Sequence, residues 1–155
     1  MSQAIYILVG TMTGNAEIAA EEIQAVLEDE GALSVEIIDM QKVDPRVFDR
    51  PGRFVICTST YGQGDVPDNA TKLYAELTQQ RPDLSHVHYG VFGLGDSTYA
   101  DTFNFGGKRF DDVLQELGAR RIGERAKHNA SSDTKVEAMS AEWARSWLAT
   151  LEAEA

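Results

Sequence analysis

The chain has 155 residues, a single cysteine and a formal net charge of −11. That length suits one domain with a substantial core, and the lone Cys57 excludes an internal disulfide framework or a cysteine-rich metal or iron–sulfur site. The acidity disfavours nucleic acid and anionic membranes as partners, leaving attraction of a basic protein partner or solubility alone.

Met1-Ser2-Gln3-Ala4 lacks the basic segment of a signal peptide, and no apolar run approaches the roughly 20 residues of a membrane span. A reducing cytoplasm is therefore the expected setting. Ile5 to Val9 is a continuous apolar run, the pattern of a strand buried on both faces. It meets the turn Thr11-Met12-Thr13-Gly14-Asn15-Ala16, after which Ala19, Ile23, Val26 and Leu27 recur at helical spacing and Gly31 supplies the cap. Leu33 to Ile38 alternates as a second strand, and Asp44-Pro45 and Pro51-Gly52 mark turns. Phe54 to Cys57 is a third strand. It feeds the loop Ser59-Thr60-Tyr61-Gly62-Gln63-Gly64-Asp65 and a helix marked by Ala70, Leu73, Tyr74 and Leu77 that stops at Arg81-Pro82. Val87 to Phe92 is a fourth strand and leads into Gly93-Leu94-Gly95-Asp96-Ser97-Thr98-Tyr99. Phe110, Val113, Leu114 and Leu117 form a further helix closed by Gly118, Ala119 to Ile122 reads as a short edge strand, and Val136, Met139, Trp143, Trp147 and Leu151 line one face of a last helix.

Five strands alternating with five helical segments predict an α/β protein. The expected form is a single doubly wound three-layer sandwich over residues 1–155, with a five-stranded parallel sheet in the order 2-1-3-4-5. The three loops then fall outside the carboxyl ends of neighbouring strands, where such sheets bind ligands. Fold alone does not choose among electron carriers, receivers and hydrolases.

In the first loop Gly10 and Gly14 permit tight curvature, and the helix start near Asn15 points free amide hydrogens back at the loop. Thr11, Thr13 and Asn15 add short donors without any lysine or arginine, which suits a phosphate or an ordinary capped helix. Tyr61 and Tyr99 each follow small polar residues at a strand end, where a ring needs another planar surface or loop packing. A phosphorylated planar cofactor, best a flavin mononucleotide, answers all three loops. Gly62 can rotate its peptide so that the carbonyl accepts from a protonated flavin N5. A Walker loop is excluded because Gly107-Lys108 is followed by Arg109, and a dinucleotide fingerprint because Gly93-Leu94-Gly95 continues to Thr98. His86, His88 and His128 lack metal-ligand spacing, Cys57 reads as a buried apolar residue, and Ser59 has no nucleophile-elbow context. Asn69-Ala70-Thr71 and Asn129-Ala130-Ser131 match the glycosylation pattern by chance, given no secretion signal.

These three ordered motifs resemble the FMN loops of the flavodoxin family, itself a standard example of the 2-1-3-4-5 order. They are especially similar to the FMN domains of diflavin reductases, such as cytochrome P450 and sulfite reductases, and to small stand-alone flavodoxins of the MioC type. The resemblance implies that Thr11, Met12, Thr13, Gly14, Asn15 and Ala16 surround the phosphate, with Ser59 and Thr60 nearby. It implies that Tyr61 and Tyr99 flank the isoalloxazine, that Gly62 presents the redox-sensitive peptide, that Asp96 lies at the pyrimidine edge, which the segment Thr102 to Asn104 with Phe103 closes, and that Gly64 and Gly95 belong to the same cofactor site. Ala16 departs from the hydroxyl residue common there, a loss worth roughly 1.5–3 kcal/mol of phosphate binding unless amides or water compensate.

The third motif runs quickly into the Phe110 helix, which places the chain among short-chain flavodoxins. The implied role is an electron carrier and not an enzyme. As a monomer it would take single electrons from an NADPH-dependent flavodoxin or ferredoxin reductase and pass them to acceptor redox enzymes. Asp65, Asp68, Asp96, Asp101 and Asp133 are expected around the cofactor mouth, either steering basic partners or forming a solvated rim. The rival reading is an FMN-dependent NAD(P)H:quinone-type oxidoreductase. A phosphate-accepting receiver would need acidic residues at the first strand's end, where Val9-Gly10-Thr11 stands.

Overall fold

The computed structural model describes residues 4–11, 15–32, 34–60, 66–95, 105–129 and 132–153. Six parallel strand segments make one sheet: β1 (Ala4–Gly10), β2 (Ser34–Asp39), β3 (Arg53–Thr58), β4 (His88–Gly95), β5 (Arg120–Arg121) and β6 (Ala126–Asn129). They run in the order β2-β1-β3-β4-β5, with β6 also on β4, as the alternation of elements predicts. Among the described residues four helices cover the sheet: α1 (Asn15–Asp29), α2 (Thr71–Gln80), α3 (Phe105–Glu116) and α4 (Val136–Ala153).

The strands read as apolar throughout because successive side chains serve two cores. Ile5, Ile7, Val9, Val55, Cys57, Phe92 and Leu94 pack with α1 and α4 on one face. Leu8, Phe54, Ile56, Tyr89 and Val91 pack with α2, α3 and the short turns Met40–Lys42 and Pro45–Asp49 on the other. Gly90 lies on the α4 face, where an added Cβ would stand 2.3 Å from Trp147 Nε1. The missing side chain is what lets that indole lie against β4. Gly31 caps α1 at φ +101, with Ala32 N–H donating to Leu27 C=O at 2.9 Å and Gly31 N–H to Glu28 C=O at 3.2 Å.

The fifth sheet position differs from expectation. The predicted edge strand shortens to Arg120–Arg121, and Ala126–Asn129 resumes beside β4 after a break. Between the pairs Tyr89↔Arg121 and Phe92↔Ala126 the outer chain advances five residues while β4 advances three. Such a bulge re-aims a strand, and it carries Asn129 alongside Gly95 at the head of the third loop.

Candidate functional site

The chain leaves β1 for α1 on one face and β3 for α2 on the other, so the order reverses between these strands and opens a crevice at their carboxyl ends. Gly10 forms its floor. A Cβ there would approach Thr58 Oγ1 at 2.7 Å, Ala70 Cβ at 3.1 Å and Met40 Sδ at 3.1 Å, so only glycine lets these segments meet. Ser59 N–H donates to Gly10 C=O at 2.9 Å and extends the β1–β3 ladder past the strands.

Asn15 begins α1 and is exposed, so the first-turn amides of a fifteen-residue helix open at the crevice. Ala16, one residue on, is completely buried in the α1–α4 core, and its carbonyl accepts the Cys57 thiol at 3.3 Å. Burial pushes the Cys57 thiol well above its ordinary range, in keeping with a packing residue and not a nucleophile.

Ser59 and Thr60 have different roles. The Thr60 hydroxyl donates to Leu94 C=O at 3.2 Å and accepts from Gly106 N–H at 2.9 Å, which staples the second loop to β4 and to the start of α3. A Cβ at Gly106 would lie 2.2 Å from Ser59 C=O, so the two backbones are in direct contact. Ser59 Oγ is buried and has no hydrogen-bond partner among the described residues. A buried hydroxyl normally finds one. On the residue that pairs with Gly10 at the end of β1, this group fits an acceptor such as a phosphate oxygen. Thr11 is the last described residue before the helix, and its N–H donates to Asn69 Oδ1 at 2.8 Å.

The structure thus brings Thr11, Asn15, Ser59 and Thr60 to one crevice and sets Gly95 at the end of β4. Met12, Thr13, Gly14, Tyr61, Gly62, Gly64, Asp96, Tyr99, Phe103 and Asn104 lie outside the described residues, as do Asp65 and Asp101. Asp68 and Asp133 are exposed. His86 and His128 each place Nε2 2.9 Å from a backbone carbonyl, of Phe48 and Thr134 respectively. Asn69 and Gly106 are contributors the sequence did not single out. The only available signal for Asn69 was a short polar residue just before a helix, which a cap would also explain.

A parallel sheet in this order, with helices on both faces and its switch point at the carboxyl ends of β1 and β3, defines a doubly wound, flavodoxin-like α/β protein. Residues 7–143 match the family model described as Flavodoxin. The chain is 36% identical to flavodoxin YqcA of Pectobacterium carotovorum subsp. carotovorum over 150 residues, covering 97% of this chain and 98% of that one. It is 34% identical to protein MioC of Escherichia coli over 146 residues, covering 93% and 95%. A solved single-site mutant of flavodoxin from Pseudomonas aeruginosa superposes with a TM-score of 0.82 at 32% identity, over 96% of this chain and 99% of that one. The chain belongs to the flavodoxin family and is a short-chain, MioC-like member. Membership implies an FMN-dependent electron-transfer protein.

Proposed function

We propose that residues 1–155 act as one FMN-binding domain that moves single electrons from a separate NADPH-dependent reductase to acceptor enzymes. The observation that carries the reading is Ser59 Oγ, a buried hydroxyl without a partner among the described residues, on the residue whose N–H meets Gly10 C=O at the end of β1. FMN, when bound, supplies reversible one- and two-electron chemistry that no side chain of this protein can perform. The chain's own residues bind and orient it. Ser59 and the first-turn amides of α1 would hold the phosphate with neutral donors, together with Thr11, Met12, Thr13, Gly14 and Asn15. Ala16 would contribute through its backbone. Its buried methyl is part of the core, so its missing hydroxyl matters less than the resemblance alone implies.

Thr60 keeps the second loop against α3, and Gly106 permits that contact. Tyr61 and Tyr99 would shield the two ring faces, with Gly62, Gly64, Gly95, Asp96, Phe103 and Asn104 around the remaining edges. Exposed Asp68, with Asp65, would steer a basic partner to the crevice.

The test is the visible spectrum of the protein titrated with FMN and then reduced stepwise. Flavin bands, quenched fluorescence and two resolved one-electron steps are expected. Absence of binding at high FMN overturns the reading. Rapid turnover with NADPH and a quinone, with no reductase added, would replace the carrier role by an oxidoreductase. Reversing Asp65 and Asp68 to lysine is expected to slow reduction by a basic reductase at low salt, and unchanged rates would remove the steering role.

A further inference from the structure

Beyond the last β1–β2 pair, Val9↔Asp39, the chain of β2 turns away into Met40–Lys42. Alternate carbonyls of β1 face opposite edges, and Gly10 C=O is taken on the β3 side by Ser59 N–H. The groups facing the vacated edge are Val9 C=O and Thr11 N–H, and one side chain serves both. Asn69 Nδ2 donates to Val9 C=O at 3.2 Å, and Asn69 Oδ1 accepts from Thr11 N–H at 2.8 Å. A neighbouring parallel strand would also offer one donor and one acceptor, from one residue, to groups two residues apart, so the carboxamide stands in for one more residue of β2.

Its orientation is determined. Nδ2 also donates to Asp39 Oδ1 at 2.9 Å, and that same oxygen accepts Gln41 N–H at 2.9 Å. An amide oxygen turned toward this carboxylate would have nothing to accept. Asn69 lies in the turn Asp68–Ala70, which follows the second loop and precedes α2. The turn is seated on β1, since Ala70 Cβ occupies space that a side chain at Gly10 would need.

We propose that Asn69 is a positioning residue. It sets the direction in which the backbone leaves β1 for the phosphate loop, and so ties that loop to the one that follows β3. The proposal rests on the FMN reading above. It gives Asn69 a role other than as a glycosylation acceptor, because a modified carboxamide could not keep these three bonds.

The test compares wild type, Asn69→Ala, Asn69→Asp and the exchanged pair Asp39→Asn with Asn69→Asp. Each is titrated with FMN and with riboflavin, which lacks the phosphate, and exchange of the Thr11 amide hydrogen is followed in the flavin-free proteins. Asn69→Ala is expected to weaken FMN binding by about tenfold, change riboflavin binding by less than about threefold, and speed Thr11 exchange. Asn69→Asp sets two carboxylates face to face and is expected to be worse. The exchanged pair removes the carboxylate clash, lets residue 39 donate to residue 69 and keeps an acceptor for Thr11 N–H, while Val9 C=O loses its donor. It is expected to recover Thr11 protection and part of the FMN affinity lost in Asn69→Asp, a rescue that generic loss of structure would not show. An unchanged FMN-to-riboflavin ratio with unchanged Thr11 exchange in Asn69→Ala overturns the proposal. So does an equal loss of both flavins that the exchanged pair does not repair. Should Asn69→Ala not fold, the comparison of Asn69→Asp with the exchanged pair decides. Wild-type protein that binds neither flavin overturns the FMN reading instead, and Thr11 exchange still reports whether Asn69 holds the loop.

Discussion

Two side chains at opposite ends of the sheet, Asp111 and Ser59, are buried in opposite ways. Near the amino end of β4, Asp111 of α3 is only 3% exposed, and three side-chain donors converge on its carboxylate. It accepts from Tyr89 Oη at 2.6 Å, from Gln115 Nε2 at 2.9 Å and from the Arg121 guanidinium, which locks α3 to β4 and β5. At the carboxyl end of β1 and β3, Ser59 Oγ is buried and unmatched among the described residues, and glycines replace side chains where backbones meet. The first end is closed on itself and can only contribute stability or fold specificity. The second leaves a polar group without a partner among the described residues, which suits a bound molecule.

The comparison breaks most readily at Asp111. Asp111→Ala would leave the Tyr89 hydroxyl only its longer bond to the backbone C=O of residue 111, at 3.2 Å, and the partly exposed Arg121 to water, with an expected loss of about 3 kcal/mol in urea unfolding and little change in FMN affinity. A protein equally stable without Asp111 would mean that the network is ornamental. Ser59→Ala is the mirror experiment. It is expected to weaken FMN binding by roughly 1.5–3 kcal/mol, read by fluorescence titration, while the flavin-free protein keeps or slightly gains stability because an unsatisfied group is removed. Loss of stability with unchanged FMN affinity would reverse the assignment.

Gly106→Ala sharpens the contrast at the backbone level. Its Cβ would overlap Ser59 C=O, so the second loop must move, and we expect FMN affinity to fall by about tenfold with roughly 1 kcal/mol lost in thermal unfolding.

The smallest effect is expected at Tyr89. Burial, then the hydrogen bond to Asp111 and its charge, push the phenol above its ordinary range. A raised acid stays neutral in the fold and ionises more readily when unfolded. The stabilisation it confers is therefore complete below about pH 10 and lost as pH climbs further. Tyr89→Phe is expected to cost about 1 kcal/mol at neutral pH and to flatten the alkaline limb of the stability curve. An unaltered alkaline limb would assign that limb to other groups.

The periodicity of single segments was enough to place most elements. Ile5 to Val9, Phe54 to Cys57 and Val87 to Phe92 are apolar on successive residues because helices cover both faces, and that pattern is local. Ala126–Asn129 escaped notice because Ala-Lys-His-Asn has no apolar run. It is a strand only by pairing with β4. Asp111 reads as a surface acid on a helix until Tyr89 and Arg121 arrive from β4 and β5. The phosphate-loop and tyrosine motifs pointed to a flavin, but nothing local distinguished Ser59, whose hydroxyl is unmatched, from Thr60, whose hydroxyl is already committed.

What the residue order determined by itself was therefore the alternation of strands and helices, the 2-1-3-4-5 arrangement and the loops that would meet a ligand. These follow from hydrophobic period, turn chemistry and chain handedness, which act over a few residues or one crossover. Tertiary structure alone decided which polar atoms are free and which are used. Asn69 reaches Val9 and Thr11 across about sixty residues of chain, and no local pattern encodes a hydrogen bond whose two halves meet only after the sheet has formed.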